Sequence, residues 1–157
     1  MQSGLIYARV VEAEIAPRFC APVERWFAGR FAAPTEAQTG GWAAIAAGLD
    51  TLIMAPTGSG KTLAAFLAGI DALVRRGLAG ALADGVKIVY VSPLKALGAD
   101  VQRNLQAPLQ GIEAAALELG LELPKIRTAL RTGDSTASER ARLVRSPPHL
   151  LITTPES

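Results

Sequence analysis

The chain has 157 residues, 50% of them hydrophobic, and its 16 basic and 14 acidic side chains leave a formal charge of +2. This composition excludes a disordered chain and provides for one sizeable core in a single domain. It also excludes nucleic-acid binding driven by bulk charge, since counterion release needs a clearer basic surplus; any such binding must come from a local arrangement of cations.

The N-terminal third reads as helical, with Val10, Val11 and Ile15 forming one stripe and Val23, Trp26 and Phe27 another, punctuated by Pro17, Pro22 and Pro34. A first strand is expected over residues 50–55, around the apolar run Leu52-Ile53-Met54. A helix follows from about Gly60 to Arg76, with Leu63, Phe66, Leu67 and Ile70 on its apolar side and Arg75, Arg76 and Gly77 as stop signals. Val86 and Ile88 to Val91 make a second buried strand, ending at Ser92-Pro93. The next helix carries Leu94, Leu97, Val101 and Leu105 on one side, and residues 112–119 extend it beyond Pro108 and Gly111. Ile126 to Leu130 is a third strand, Thr136 to Glu139 a capping box opening a short helix that Pro147-Pro148 ends, and 149–153 a fourth strand. Strands alternating with helices signify a parallel sheet with α/β architecture.

Asp50 and Asp71 interrupt the two longest apolar stretches, so neither reaches the ~18 residues of a membrane span. The first residues lack the charged start and cleavage site of a signal peptide, and the expectation is a soluble, cytoplasmic protein with no membrane partner. The lone Cys20 excludes an internal disulfide and reads as a half-buried thiol. The lone His149 reads as a strand-edge residue rather than a ligand or base.

The densest chemistry lies in Ala55-Pro56-Thr57-Gly58-Ser59-Gly60-Lys61-Thr62, between the first strand and its helix. A loop there points backbone N–H groups and the positive end of the helix dipole at one spot, where an anion belongs. Gly58 and Gly60 allow positive φ and a close approach to phosphate oxygens, Lys61 brings a compact charge to the β- and γ-phosphates, and Thr62 offers a hydroxyl to Mg²⁺. Ala55 stands where the usual motif has Gly, a small departure at a position that only starts the turn. The competing reading is a Gly/Ser-rich turn with a surface lysine.

Three further segments bear on the job this loop serves. In Thr35-Glu36-Ala37-Gln38 the glutamine amide can donate to and accept from adenine, selecting ATP, yet Thr35 with Gln38 is equally a capping box that needs no nucleotide. Ser92 to Leu97 and Thr153 to Ser157 place hydroxyls, N–H groups and helix starts at carboxyl ends of parallel strands, where ligands bind in such folds. Between them lies Arg131-Thr132-Gly133-Asp134. Lys125, Arg127, Arg131, Arg140, Arg142 and Arg145 form a basic cluster whose plainer reading is a solvated face.

In this order the segments resemble superfamily-two helicases of the DEAD/DEAH-box type, most closely the large helicase-related (Lhr-like) branch, over about residues 23–157. Gln38 resembles the Q motif, 55–62 motif I, 92–97 motif Ia, 131–134 the Arg-Thr-Gly-Asp segment and 153–157 motif Ib. The resemblance implies a three-layer P-loop NTPase (RecA-like) parallel sheet, incomplete, with an N-terminal helical extension over 1–22. It implies ATP and Mg²⁺ as cofactors, with Gln38 and Ala55 to Thr62 (Ala55, Pro56, Thr57, Gly58, Ser59, Gly60, Lys61 and Thr62) at the nucleotide, Lys61 and Thr62 catalytic and Thr62 on the metal. It further implies that Ser92, Pro93, Leu94, Thr132, Gly133, Thr154 and Pro155 contact the backbone of one strand of DNA or RNA. The family also needs an Asp-Glu pair and a second lobe. None of Asp50, Asp71, Asp84, Asp100 or Asp134 is followed by Glu, so this sequence is expected to be the first part of lobe one, to bind at most, and to need the remainder of the helicase core as partner. The alternative is a non-catalytic module or pseudo-helicase partner that binds single strands without ATP.

Overall fold

The computed structural model describes residues 18–157 except Leu94, with nothing stated of the Lys95 side chain. The expected stripe Val10, Val11 and Ile15, together with Pro17, lies outside the described residues, as does the role expected of Leu94. The chain forms two compact units, Met1–Ala72 and Leu73–Ser157.

In the first unit, α1 (Ala21–Arg30) begins with Pro22 in its first turn, where a missing N–H costs nothing, and buries Pro22 and Val23. α2 (Glu36–Ala46) opens on the capping box of Thr35 and Gln38. Trp42 of α2 gathers Phe19 and Phe27 edge-on at ring separations of 4.8 and 5.5 Å. Gly41 lets α2 approach Ile53 closely, since a Cβ there would sit 2.8 Å from Ile53 Cδ1. The Cys20 N–H donates to Asp71 Oδ1 at 2.7 Å, anchoring the chain ahead of α1. Cys20 is half-buried, as expected.

The first strand does not form. Residues 51–56 belong to no ladder, and Leu52 and Met54 are 77% and 65% exposed. A strand exists only when its N–H and C=O groups meet a neighbour's, and among the described residues no segment pairs with this one. The apolar run alone therefore overstated its order.

α3 (Lys61–Leu78) follows the loop directly and buries Ala64, Phe66, Leu67, Ile70, Leu73 and Val74, one face of a 3.6-residue period. In the second unit come β1 (Ile88–Val91), α4 (Lys95–Glu118), β2 (Thr128–Arg131), α5 (Ala137–Arg145) and β3 (Leu150–Thr153). The strands form a parallel sheet in the order β1-β3-β2, with Tyr90, Ile152 and Leu130 in one row and Val91, Thr153 and Arg131 in the next. Gly98 brings α4 onto the Leu130 and Ile152 side, where a Cβ would meet Leu130 Cδ1 at 3.1 Å. That face holds the fully buried Leu150 and Ile152.

β1 differs from the expectation of a strand buried on both faces, because Val89 and Val91, on the opposite face, are 57% and 54% exposed. α4 runs unbroken through Pro108. The lost N–H removes one bond, and buried Leu105 and Ile112 hold the turns on either side. The capping box at Thr136 and Glu139 opens α5 as expected.

Candidate nucleotide and nucleic-acid sites

The loop of residues 55–62 ends where α3 begins. Ala64 N–H donates to the Gly60 carbonyl, starting the helix, and Ser59 N–H closes a turn on Pro56 O. Gly58 and Gly60 have φ of 84° and 81°, the left-handed region that a side chain resists. Ser59 Oγ is buried and has no hydrogen-bond partner among the described residues, which leaves its hydroxyl for a ligand to meet. The Lys61 ammonium donates to the carbonyl oxygens of Ala55 and of Pro56, the latter at 2.7 Å. Pro56, Thr57, Gly58 and Thr62 are exposed. The outer side of the loop, at Pro56 to Gly58 and at Thr62, is thus open to solvent, and the residues fit a polyanion bound by N–H groups, one hydroxyl and one ammonium.

Gln38 stands against this loop. It is 4% exposed, its Oε1 accepts from Thr35 N–H at 3.0 Å, and its Nε2 occupies the space beside Gly60 where a Cβ would come within 2.4 Å. Thr35 Oγ1 donates to Ser59 O at 2.9 Å. The capping box is real, and the same two side chains also brace the backbone of the loop at Ser59 and Gly60. The contact from Thr35 to Ser59 escaped sequence reasoning, because a Thr at an N-cap carries no signal of a second, distant partner.

A second set of residues meets at the carboxyl edge of the sheet. Ser92, Thr132 and Thr154 each follow the last residue of β1, β2 and β3, and all three are buried. Ser92 N–H extends the ladder to Thr153 O at 2.8 Å. Thr132 Oγ1 accepts from Asp134 N–H, and Thr154 Oγ1 bonds Ser157 Oγ at 2.7 Å, so these hydroxyls shape their turns. Pro93, Gly133 and Pro155 are the exposed members. Arg140 supports the second turn by donating to Ser135 O at 2.9 Å and Gly133 O at 3.4 Å.

The basic cluster divides. Arg127 donates to Asp84 and to Pro147 O, and that guanidinium holds the Asp84 carboxyl below its usual range. Lys125, Arg142 and Arg145 are exposed. His149, 3% exposed, accepts from Arg127 N–H through Nδ1, while its Nε2 has no partner among the described residues. Burial, then the charges of Arg127 and Lys87 against the opposing Asp84, push the imidazole below its ordinary value. It stands immediately ahead of β3, where its position in the sequence placed it. Among the described residues no helix is long and apolar enough to cross a membrane.

Residues 35–157 match the model of the DEAD/DEAH box helicase family. The chain belongs to the DEAD/DEAH box helicase family. Similar proteins include an ATP-dependent helicase Lhr-Core of Methanocaldococcus jannaschii, 48% identical over 87% of this chain and 16% of the relative. Another is a Lhr helicase/probable uracil glycosylase of Mycolicibacterium smegmatis, 51% identical over 89% of this chain and 9% of the relative. The solved structure of Mycobacterium smegmatis helicase Lhr bound to ssDNA and AMP-PNP superposes with a TM-score of 0.81 at 49% identity, covering 88% of this chain and 17% of that one. The chain therefore spans between 9% and 17% of the length of these relatives, and its parallel α/β sheet with helices is that of a helicase RecA-like lobe.

Proposed function

We propose that this chain is the ATP-binding part of an Lhr-like helicase, the portion of its first RecA-like lobe that grips nucleotide and one strand of nucleic acid. The observation that carries the reading is the braced phosphate loop, with two left-handed glycines, an orphaned Ser59 hydroxyl and the Gln38 amide against Gly60. Ala55, Pro56 and Thr57 form the turn, and Gly58, Ser59 and Gly60 supply backbone donors. Lys61 exchanges its carbonyl partners for β- and γ-phosphate oxygens, where an ammonium offsets charge that develops on transfer. Thr62 supplies a hydroxyl to Mg²⁺. Among the described residues no cluster of three acidic, His or Cys groups can hold a metal alone, so the ion arrives with the phosphates. Gln38 keeps its Oε1 on Thr35 and offers its amide hydrogens to adenine.

The single strand runs over the carboxyl edge of the sheet, meeting the exposed Pro93, Gly133 and Pro155, the strand end at Ser92 and the turns that Thr132 and Thr154 shape. Movement along the strand belongs to the longer helicase, whose remaining core completes the site. The test is the melting temperature of wild type and Lys61→Ala with and without MgATP. A rise confined to wild type supports the assignment; equal shifts reject it.

A second reading, single-strand binding indifferent to ATP, has one observation in its favour. All three strand-end segments belong to the second unit, whereas the phosphate loop belongs to the first. Oligonucleotide affinity unchanged by MgATP would select it.

A further inference from the structure

A cavity of about 390 Å³ opens beside β2, bordered by the turn of residues 132–135, by α5 and by Gln102 of α4. Its size falls in the range of small-ligand sites. The consecutive residues Thr128, Ala129 and Leu130 all line it. Side chains alternate along a strand, so three neighbours meet one space only along the backbone edge.

The edge is open. β2 has one neighbour, β3, among the described residues, and the Arg127 carbonyl accepts from His149 and Leu150 N–H. In a parallel ladder Arg127, Ala129 and Arg131 thus turn their backbone groups to β3, while Thr128 and Leu130 turn theirs outward. The next outward N–H, that of Thr132, is capped by Ser135 Oγ at 3.0 Å.

The open edge therefore offers the donors and acceptors of two residues and stops. That is too short for an added peptide strand, which draws its affinity from a longer ladder. Asp134 and Glu139 also border the cavity, which disfavours a phosphate inside it. A planar group with both donors and acceptors on its rim fits what remains, because the Leu130 backbone and the Gln102 amide each present both. The exposed Arg142 guanidinium, whose charge acts on Glu139 at the same rim, supplies a flat cation on which such a ring stacks.

We propose that this cavity receives one nucleobase, turned out of a single strand whose backbone passes over Thr132 and Gly133. The inference rests on the nucleic-acid reading above and adds a base contact to it. Arg142 and Gln102 are the specificity-bearing side chains, and base-edge hydrogen bonds go to Leu130.

The test measures the affinity of the whole chain for a series of labelled oligothymidylates, each lacking one base at a different position. Wild type should lose affinity about tenfold at one position only. Arg142→Ala should bind the whole series equally, and so should Arg142→Lys, which keeps the charge and loses the plane. Equal binding of the series by wild type overturns the base pocket while leaving strand binding intact. Rescue by Arg142→Lys assigns Arg142 to a phosphate and overturns it also. Absence of any oligonucleotide binding overturns the nucleic-acid reading and the pocket together. Slowed amide exchange at Thr128 and Leu130 with an extended peptide, and not with oligothymidylate, assigns the cavity to a peptide and overturns the proposal.

Discussion

Gln38 Nε2 fills the space that any side chain at Gly60 would need, 2.4 Å from the position of a Cβ. Two residues 22 positions apart in the sequence thereby lock the start of α2 to the loop of residues 55–62. Gly60→Ala meets both this contact and the strain of φ 81°, and should cost about 1–3 kcal/mol in urea unfolding. Adding Gln38→Ala should recover the steric part and leave the backbone part. Additive losses in the double mutant would show that the two side chains do not touch.

Lys61→Ala removes the ammonium from the carbonyls of Ala55 and Pro56 in the free protein. Both bonds lie at or near the surface, so stability without nucleotide should change by less than about 1 kcal/mol. With MgATP at ~100 times its dissociation constant, wild type should gain about 2.7 kcal/mol, a rise in Tm of several degrees that the variant lacks. A wild-type chain whose Tm ignores MgATP would contradict the loop assignment.

His149 predicts a pH dependence. Its folded pKa lies below the unfolded ~6.5, so the unfolded chain binds the proton first as pH falls. The stability it contributes is complete above ~6.5 and declines below it, by at most about 1.4 kcal/mol per pH unit. The charges that face the ring are Arg127, Lys87 and Asp84. Asp84 is itself depressed from 3.8 and titrates below this window. Urea melts between about pH 5 and 8 should show the decline in wild type and a flatter profile in His149→Gln.

Gly98 tests how closely α4 rides on the sheet. Gly98→Ala places a Cβ 3.1 Å from Leu130 Cδ1 and 3.5 Å from Ile152 Cγ2. The helix-propensity gain of about 1 kcal/mol offsets that mild crowding, and net stability should change little. Gly98→Val adds two carbons to the same contact and should cost about 1–3 kcal/mol. Equal stability of both variants would mean that α4 lies farther from the sheet.

The linear chain by itself determined the features that are local. The octet at 55–62, the capping boxes at Thr35 and Thr136 and the strand ends at Ser92 and Thr154 follow from neighbours a few residues apart, where dihedral preference and hydrogen-bond reach act directly; the stop expected at Gly77 comes later, since α3 runs through Gly77 to Leu78 and turns off at Gly80, φ 67°. Tertiary structure alone decided what depends on a partner distant in sequence. Residues 51–56 have a strand's composition and no ladder, because backbone pairing is supplied from elsewhere or not at all. Val89 and Val91 are as apolar as Leu150 and Ile152, yet only the latter pair lies on the face that α4 covers. The grip of Thr35 and Gln38 on the loop, the open edge of β2 and the burial of His149 all arise from chain segments meeting across long separations, which no periodicity within a segment encodes.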